Sequence, residues 1–100
     1  METRSEMLQF IDVTIWMLEE VVKKDNAYYG TGEDFQPPEE VVLRVVSLGR
    51  QFLLGERPLS LSEWKKFDLG LYVVRVVEMA YPEIAKRLYR IDTYFDKILK

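Results

Sequence analysis

Apolar residues recur through the first 24 positions at three- and four-residue steps: Met7 or Leu8, Ile11, Ile15, Leu18 and Val22. That interval draws one face of an α-helix. Phe10, Met17 and Val21 widen the stripe, while Asp12, Glu19, Lys23 and Lys24 fall largely off it. Thr3 and Glu6 stand at the spacing at which a hydroxyl and a carboxylate satisfy the free amides of a first turn. A helix is therefore predicted over residues 4–24. Trp16 sits at the edge of the stripe. A large aromatic there is expected to pack into the core; an anchor for a partner is the other reading.

Periodicity stops at Asp25. The stretch 25–37, DNAYYGTGEDFQP, holds two glycines, a proline and an asparagine and is predicted to be a loop. Pro37-Pro38 leads into a second helix, predicted over 38–54. Glu39 and Glu40 suit the positive end of its dipole. Val41, Val42, Val45, Val46, Leu48, Phe52 and Leu53 form its apolar face, with Arg44, Ser47 and Arg50 opposite. The valines make a strand conceivable for 41–46, but the length and the arginine spacing favour helix. Gly55 is a natural stop.

Ser60 and Glu63 repeat the capping spacing and open a short helix over 61–67, after which Asp68 is placed to cap the next. Leu69, Tyr72, Val73, Val76, Val77 and Ala80 share one face of a helix over 69–80, with Arg75 and Glu78 as its interior charges. So little of it is polar that a central position is expected. Gly70 costs such a helix roughly 1 kcal/mol against alanine, and close approach of another backbone is the expected reason for it. Pro82 and Glu83 end that helix and start one over 82–99. Ile84, Leu88, Ile91, Phe95 and Ile98 form its seam. The fold class is therefore all-α: one domain over 1–100, a compact bundle of four to five mostly antiparallel helices joined by short connections.

Composition narrows the chemistry more than it narrows the fold. The 100 residues carry a net charge of -3, with no cysteine and no histidine. Zinc sites built from Cys and His, thiolate nucleophiles and histidine-dependent triads are thereby excluded. No basic cluster interleaved with aromatics points to nucleic acid, and no apolar run approaches the roughly 20 residues that span a bilayer. METRSEM lacks the pattern of a secretory leader. A cytoplasmic protein is expected, with no nucleic-acid or membrane partner, no cofactor and no metal. The Gly30-Thr31-Gly32 stretch lacks the lysine and preceding strand of a phosphate loop. Adjacent carboxylates such as Glu19 and Glu20 diverge on a helix and make poor catalytic dyads. An enzyme is not expected.

The loop is the candidate binding element. Residues 25–40 carry Asp25, Glu33, Asp34, Glu39 and Glu40 and no basic residue, and Tyr28, Tyr29 and Phe35 lie among them. Aromatics beside acids offer contact area and steer a basic partner; a solvated connection is the plainer reading. Lys86, Arg87, Arg90, Lys97 and Lys100 make the last helix basic. A solvated face is expected there, with proximity to the acidic loop or contact with an acidic partner as the alternatives.

Leu69-Gly70, Arg75, Glu78, Pro82-Glu83, Ile84-Ala85, Leu88 and a nearby tyrosine together resemble the family of small helical immunity proteins of type VI secretion effectors. Its founding member protects against an NAD(P)+ glycohydrolase toxin. The resemblance covers residues 59–95 without a gap and is looser over 8–54. The chain departs from the family pattern at Val76, where the family tends to have an acid, and at Tyr81, where it tends to have an aspartate. The resemblance implies an antitoxin that binds the catalytic domain of a cognate antibacterial toxin and covers its active site. On that reading Tyr28, Tyr29, Glu33, Asp34 and Phe35 form the partner-binding surface, and Leu69, Gly70, Arg75, Glu78, Pro82 and Glu83 a structural motif. The readings from other classes are a homo-oligomeric scaffold or adaptor, with a homodimer as its simplest form, and a small enzyme working through Glu and Tyr alone.

Overall fold

The N-terminal helix is longer than its apolar stripe. In the computed structural model α1 runs Arg4–Tyr29, followed by α2 (Pro38–Leu53), α3 (Leu61–Phe67), α4 (Leu69–Tyr72) and α5 (Pro82–Ile98). The structure describes residues 3–29, 38–72 and 81–100, with the side chains of 25–29, 38–39 and 71–72 outside that description. Among the described residues there is no strand, and the valine-rich 41–46 is helical. The radius of gyration is 13.5 Å, close to the roughly 13 Å of a compact 100-residue domain. Residues 25–29 are helical, which corrects the expectation that the loop begins at Asp25. No proline or glycine stands between Lys24 and Tyr29, so nothing there stops the helix.

The caps behave largely as their spacing demands. Thr3 Oγ1 accepts the Glu6 amide at 3.1 Å and donates to the Glu6 carboxylate at 3.0 Å. Ser60 Oγ accepts the Glu63 amide at 3.2 Å. Asp68, by contrast, does not take the extended conformation of an N-cap. It is left-handed, at φ 51°, and closes α3 by donating its amide to the Lys65 carbonyl. Gly55 ends α2 at φ 78°. Its amide reaches Phe52 O at 3.0 Å and the Glu56 amide reaches Gln51 O at 2.9 Å, the paired bonds of a Schellman turn. Pro82 occupies the first turn of α5, with Glu83 beside it.

The core is drawn from every described element. Met7, Ile11, Leu18 and Val21 of α1 face Val42, Val45, Val46 and Leu53 of α2, and Ile84, Leu88, Ile91 and Phe95 of α5 close the third side. Trp64 stacks on Phe95 with ring centroids 4.4 Å apart, and its indole nitrogen donates to Asp92 Oδ1 at 2.8 Å. Gly49 lies under this pair. A Cβ there would stand 2.8 Å from Phe95 Cζ, so the close approach in this bundle belongs to Gly49. At Gly70 the nearest atom to a Cβ would be Asp92 Oδ2 at 3.9 Å. Among the described residues outside its own helix, no backbone comes within 4 Å of that position, contrary to the close approach expected at Gly70. At the C-terminus Ile98 is 40% exposed, and Leu99 packs against the core in its place.

The buried face of α1 is turned from the predicted one. Thr14 is fully buried at its centre, and Ile15 and Val22 are pushed to its flank. The Thr14 hydroxyl donates to Phe10 O at 2.8 Å and accepts from Arg87 Nε at 2.8 Å. Arg87 also donates to Phe10 O at 3.1 Å and covers the Phe10 ring at 3.9 Å. Burial lowers its guanidinium from the ordinary value without discharging it. Arg87 is therefore a clamp between α5 and α1, which corrects the expectation that it belongs to a solvated basic face.

Candidate functional site

A helix advances about 100° per residue, so a side chain two positions from Thr14 points to the opposite side. That residue is Trp16, and it is 62% exposed. The core position expected for it is corrected: Thr14 and Arg87 set the rotation of α1, and the indole is left outward.

Trp16 borders an open cleft of about 500 Å³ between α1 and α2. Asp12, Ile15 and Glu19 supply the α1 wall, Ser47, Arg50 and Gln51 the α2 wall, and Glu56 closes one end. Asp12, early in α1, meets Arg50, late in α2, with Arg50 Nε 2.6 Å from Asp12 Oδ1. The two helices are thus antiparallel. Both side chains of this pair are substantially exposed, so it adds little to stability; it links the two walls of the cleft. Glu56 stands at the cleft because the left-handed Gly55 turns the chain back on the last turn of α2. Arg50 is engaged by Asp12, and among the described residues Glu19 and Glu56 have no salt-bridge partner. The cleft is therefore acidic around one large exposed aromatic.

Of the residues expected to bind a partner, Tyr28 and Tyr29 form the last turn of α1, and their side chains lie outside the described residues. Glu33, Asp34 and Phe35 lie outside them altogether, as do Arg75 and Glu78. Leu69 is a core residue at 2% exposure. Glu19 is about 15 Å along α1 from Tyr29 at 1.5 Å per residue, so the cleft lies well before the end of that helix. Trp16 as a partner anchor was one reading of the sequence. The signal that selects it is Thr14, whose inclusion in the stripe rotates the whole face.

A second, smaller hollow of about 150 Å³ lies beside Trp64, lined by Asp68, Asp92, Asp96, Lys65 and Gly70. Burial pushes the Asp92 carboxyl above its usual range; the Trp64 hydrogen bond opposes this, and Asp96 and Asp68 add to the upward shift. Among the described residues no three acidic side chains are placed to hold a metal ion. A raised folded-state pKa favours the protonated carboxyl. Its contribution is full below the ordinary aspartate range and is lost as pH rises through the folded value. Asp92→Asn keeps an acceptor for Trp64 and removes the ionisation. At pH 7 it is expected to match or exceed the parent by less than about 1 kcal/mol, since Asp92 is partly solvated. The difference should vanish in acid. Urea titrations of both proteins from pH 3 to 7 check this, and a less stable Asn variant throughout would refute it.

No family model, curated protein or solved structure matches the chain. Among the described residues no helix is long and apolar enough to cross a membrane.

Proposed function

We propose that this protein is a cytoplasmic immunity protein that binds and inhibits a cognate antibacterial toxin by covering its active site. The observation that carries the binding role is Trp16, 62% exposed on the rim of an acidic cleft. Large aromatics left outside a core are the anchors on which protein interfaces concentrate their energy. The sequence that joins α1 to α2 adds Glu33 and Asp34 with Tyr28, Tyr29 and Phe35 and no basic residue, a composition that suits a basic partner. The type of partner comes from the resemblance of residues 59–95 to type VI immunity proteins, and that resemblance points to an NAD(P)+ glycohydrolase.

The test is co-expression with the product of the neighbouring gene, following growth and the NAD pool. Growth arrest with NAD loss, both prevented by this protein, is the expected result. Arrest prevented while NAD stays constant would keep the immunity role and change the toxin's chemistry. A harmless neighbour, or one that kills regardless, would overturn the reading in favour of a self-associating scaffold. Alanine at Tyr29, Glu33, Asp34 and Phe35 then asks whether the connection contributes: unchanged toxin affinity would remove it from the interface.

A further inference from the structure

We propose that the α1–α2 cleft is a receptor for an arginine side chain presented by the protein partner, with Trp16 as the stacking platform and Glu19 and Glu56 as its carboxylate partners. This deepens the binding-module reading and rests on it for the source of the arginine. Charge is the first argument. Three of the lining side chains are acidic and one is basic, and that one, Arg50, is already held by Asp12 at 2.6 Å. An incoming cation meets two uncommitted carboxylates and no competing positive charge. An incoming anion meets the reverse.

Shape and chemistry select arginine among cations. The exposed Trp16 ring beside two carboxylates offers a flat face that an ammonium group does not use fully. A guanidinium is flat, stacks on an indole face, and donates in two directions at once. The fold already uses this pairing internally, with the Arg87 guanidinium 3.9 Å over the Phe10 ring. The chain's own connection 30–37 carries only acidic charges, so it is not the complementary occupant. A second copy of the chain remains the competing one, since its last helix carries exposed lysines.

The two tryptophans give separate reporters. Trp64 is buried and hydrogen-bonded to Asp92, and Trp16 is outward. In a nitrogen-15-labelled full chain their indole N–H signals report the core and the cleft independently, and Trp16→Phe assigns them. The probe is a blocked Gly-Arg-Gly-Arg-Gly peptide, with the same peptide carrying citrulline as the uncharged control. Saturable movement of the Trp16 signal is expected with the arginine peptide, with Trp64 unmoved. The citrulline peptide should bind at least tenfold more weakly. Glu19→Gln with Glu56→Gln should weaken the arginine peptide at least fivefold, and added salt should do likewise.

Equal response to both peptides, or no response, would overturn the proposal. So would a Trp16 signal that shifts with protein concentration alone, because the occupant would then be a second copy. Peptide binding without protection in co-expression would retain the cleft and remove the immunity reading. Protection without peptide binding would do the opposite.

Discussion

Trp64→Ala is expected to be the most destabilising single change in this domain. The ring is 2% exposed, stacked on Phe95 at 4.4 Å and edge-on to Phe67 at 6.1 Å. Truncating a buried tryptophan costs about 3–5 kcal/mol through lost transfer energy and the cavity left behind. The same change removes the donor to Asp92, whose carboxylate then depends on water that enters the vacated space. Native domains are stable by about 5–15 kcal/mol in total, so this one change removes a large fraction of what holds the fold. Urea denaturation gives the measurement: the midpoint should fall steeply while the slope stays the same. Trp64→Phe keeps an aromatic on Phe95 but loses the hydrogen bond and part of the buried ring, at a smaller cost of about 1–3 kcal/mol. If the alanine variant lost under 1 kcal/mol, Trp64 would not be the centre of this core.

Gly49→Val is expected to be the next most damaging single change. Its Cβ would stand 2.8 Å from Phe95 Cζ, 3.0 Å from Cε2 and 3.5 Å from Trp64 Cζ3. Phe95 is fully buried, with Trp64 on one face and Phe52 and Tyr94 at its edges, so the ring has nowhere to move. Alanine at this site would gain up to about 1 kcal/mol of helix propensity, set against about 1–3 kcal/mol of overpacking. Valine adds two more methyl groups and gives up most of the propensity gain. A net loss of about 3 kcal/mol follows, or a fall in Tm on the order of 15 °C for a domain of this size. Calorimetry of the alanine and valine variants checks the order, with valine the lower. A valine variant as stable as the parent would mean that α2 and α5 have slack at this crossing.

The role of Gly49 is not encoded locally. The residue sits mid-helix between Leu48 and Arg50, a position that costs a helix stability. Gly70 is likewise helical and carries the same local cost. Which of two helical glycines lies under a ring depends on where Phe95 arrives from, and Phe95 is 46 positions away in the chain. Trp16 was open for a similar reason. A helix with apolar residues at positions 7, 8, 10, 11, 15, 17, 18, 21 and 22 permits several rotations about its axis. The choice is made by a polar contact, Arg87 to Thr14 and Phe10 O, between residues more than 70 positions apart.

What the sequence determined by itself was local. The serine and threonine caps, the stop at Gly55 and the start at Pro82 depend on backbone amides and dihedral angles within a few residues of each side chain. The all-helical bundle follows from the three-and-four spacing of its apolar positions. Tertiary structure decided which face of each helix is inward, and with it the site. Thr14 is buried because Arg87 needs an acceptor, Trp16 is exposed because it lies opposite Thr14, and Arg50 is spoken for because Asp12 faces it. Each of these joins residues from different helices, and no periodicity within one helix encodes such a pairing.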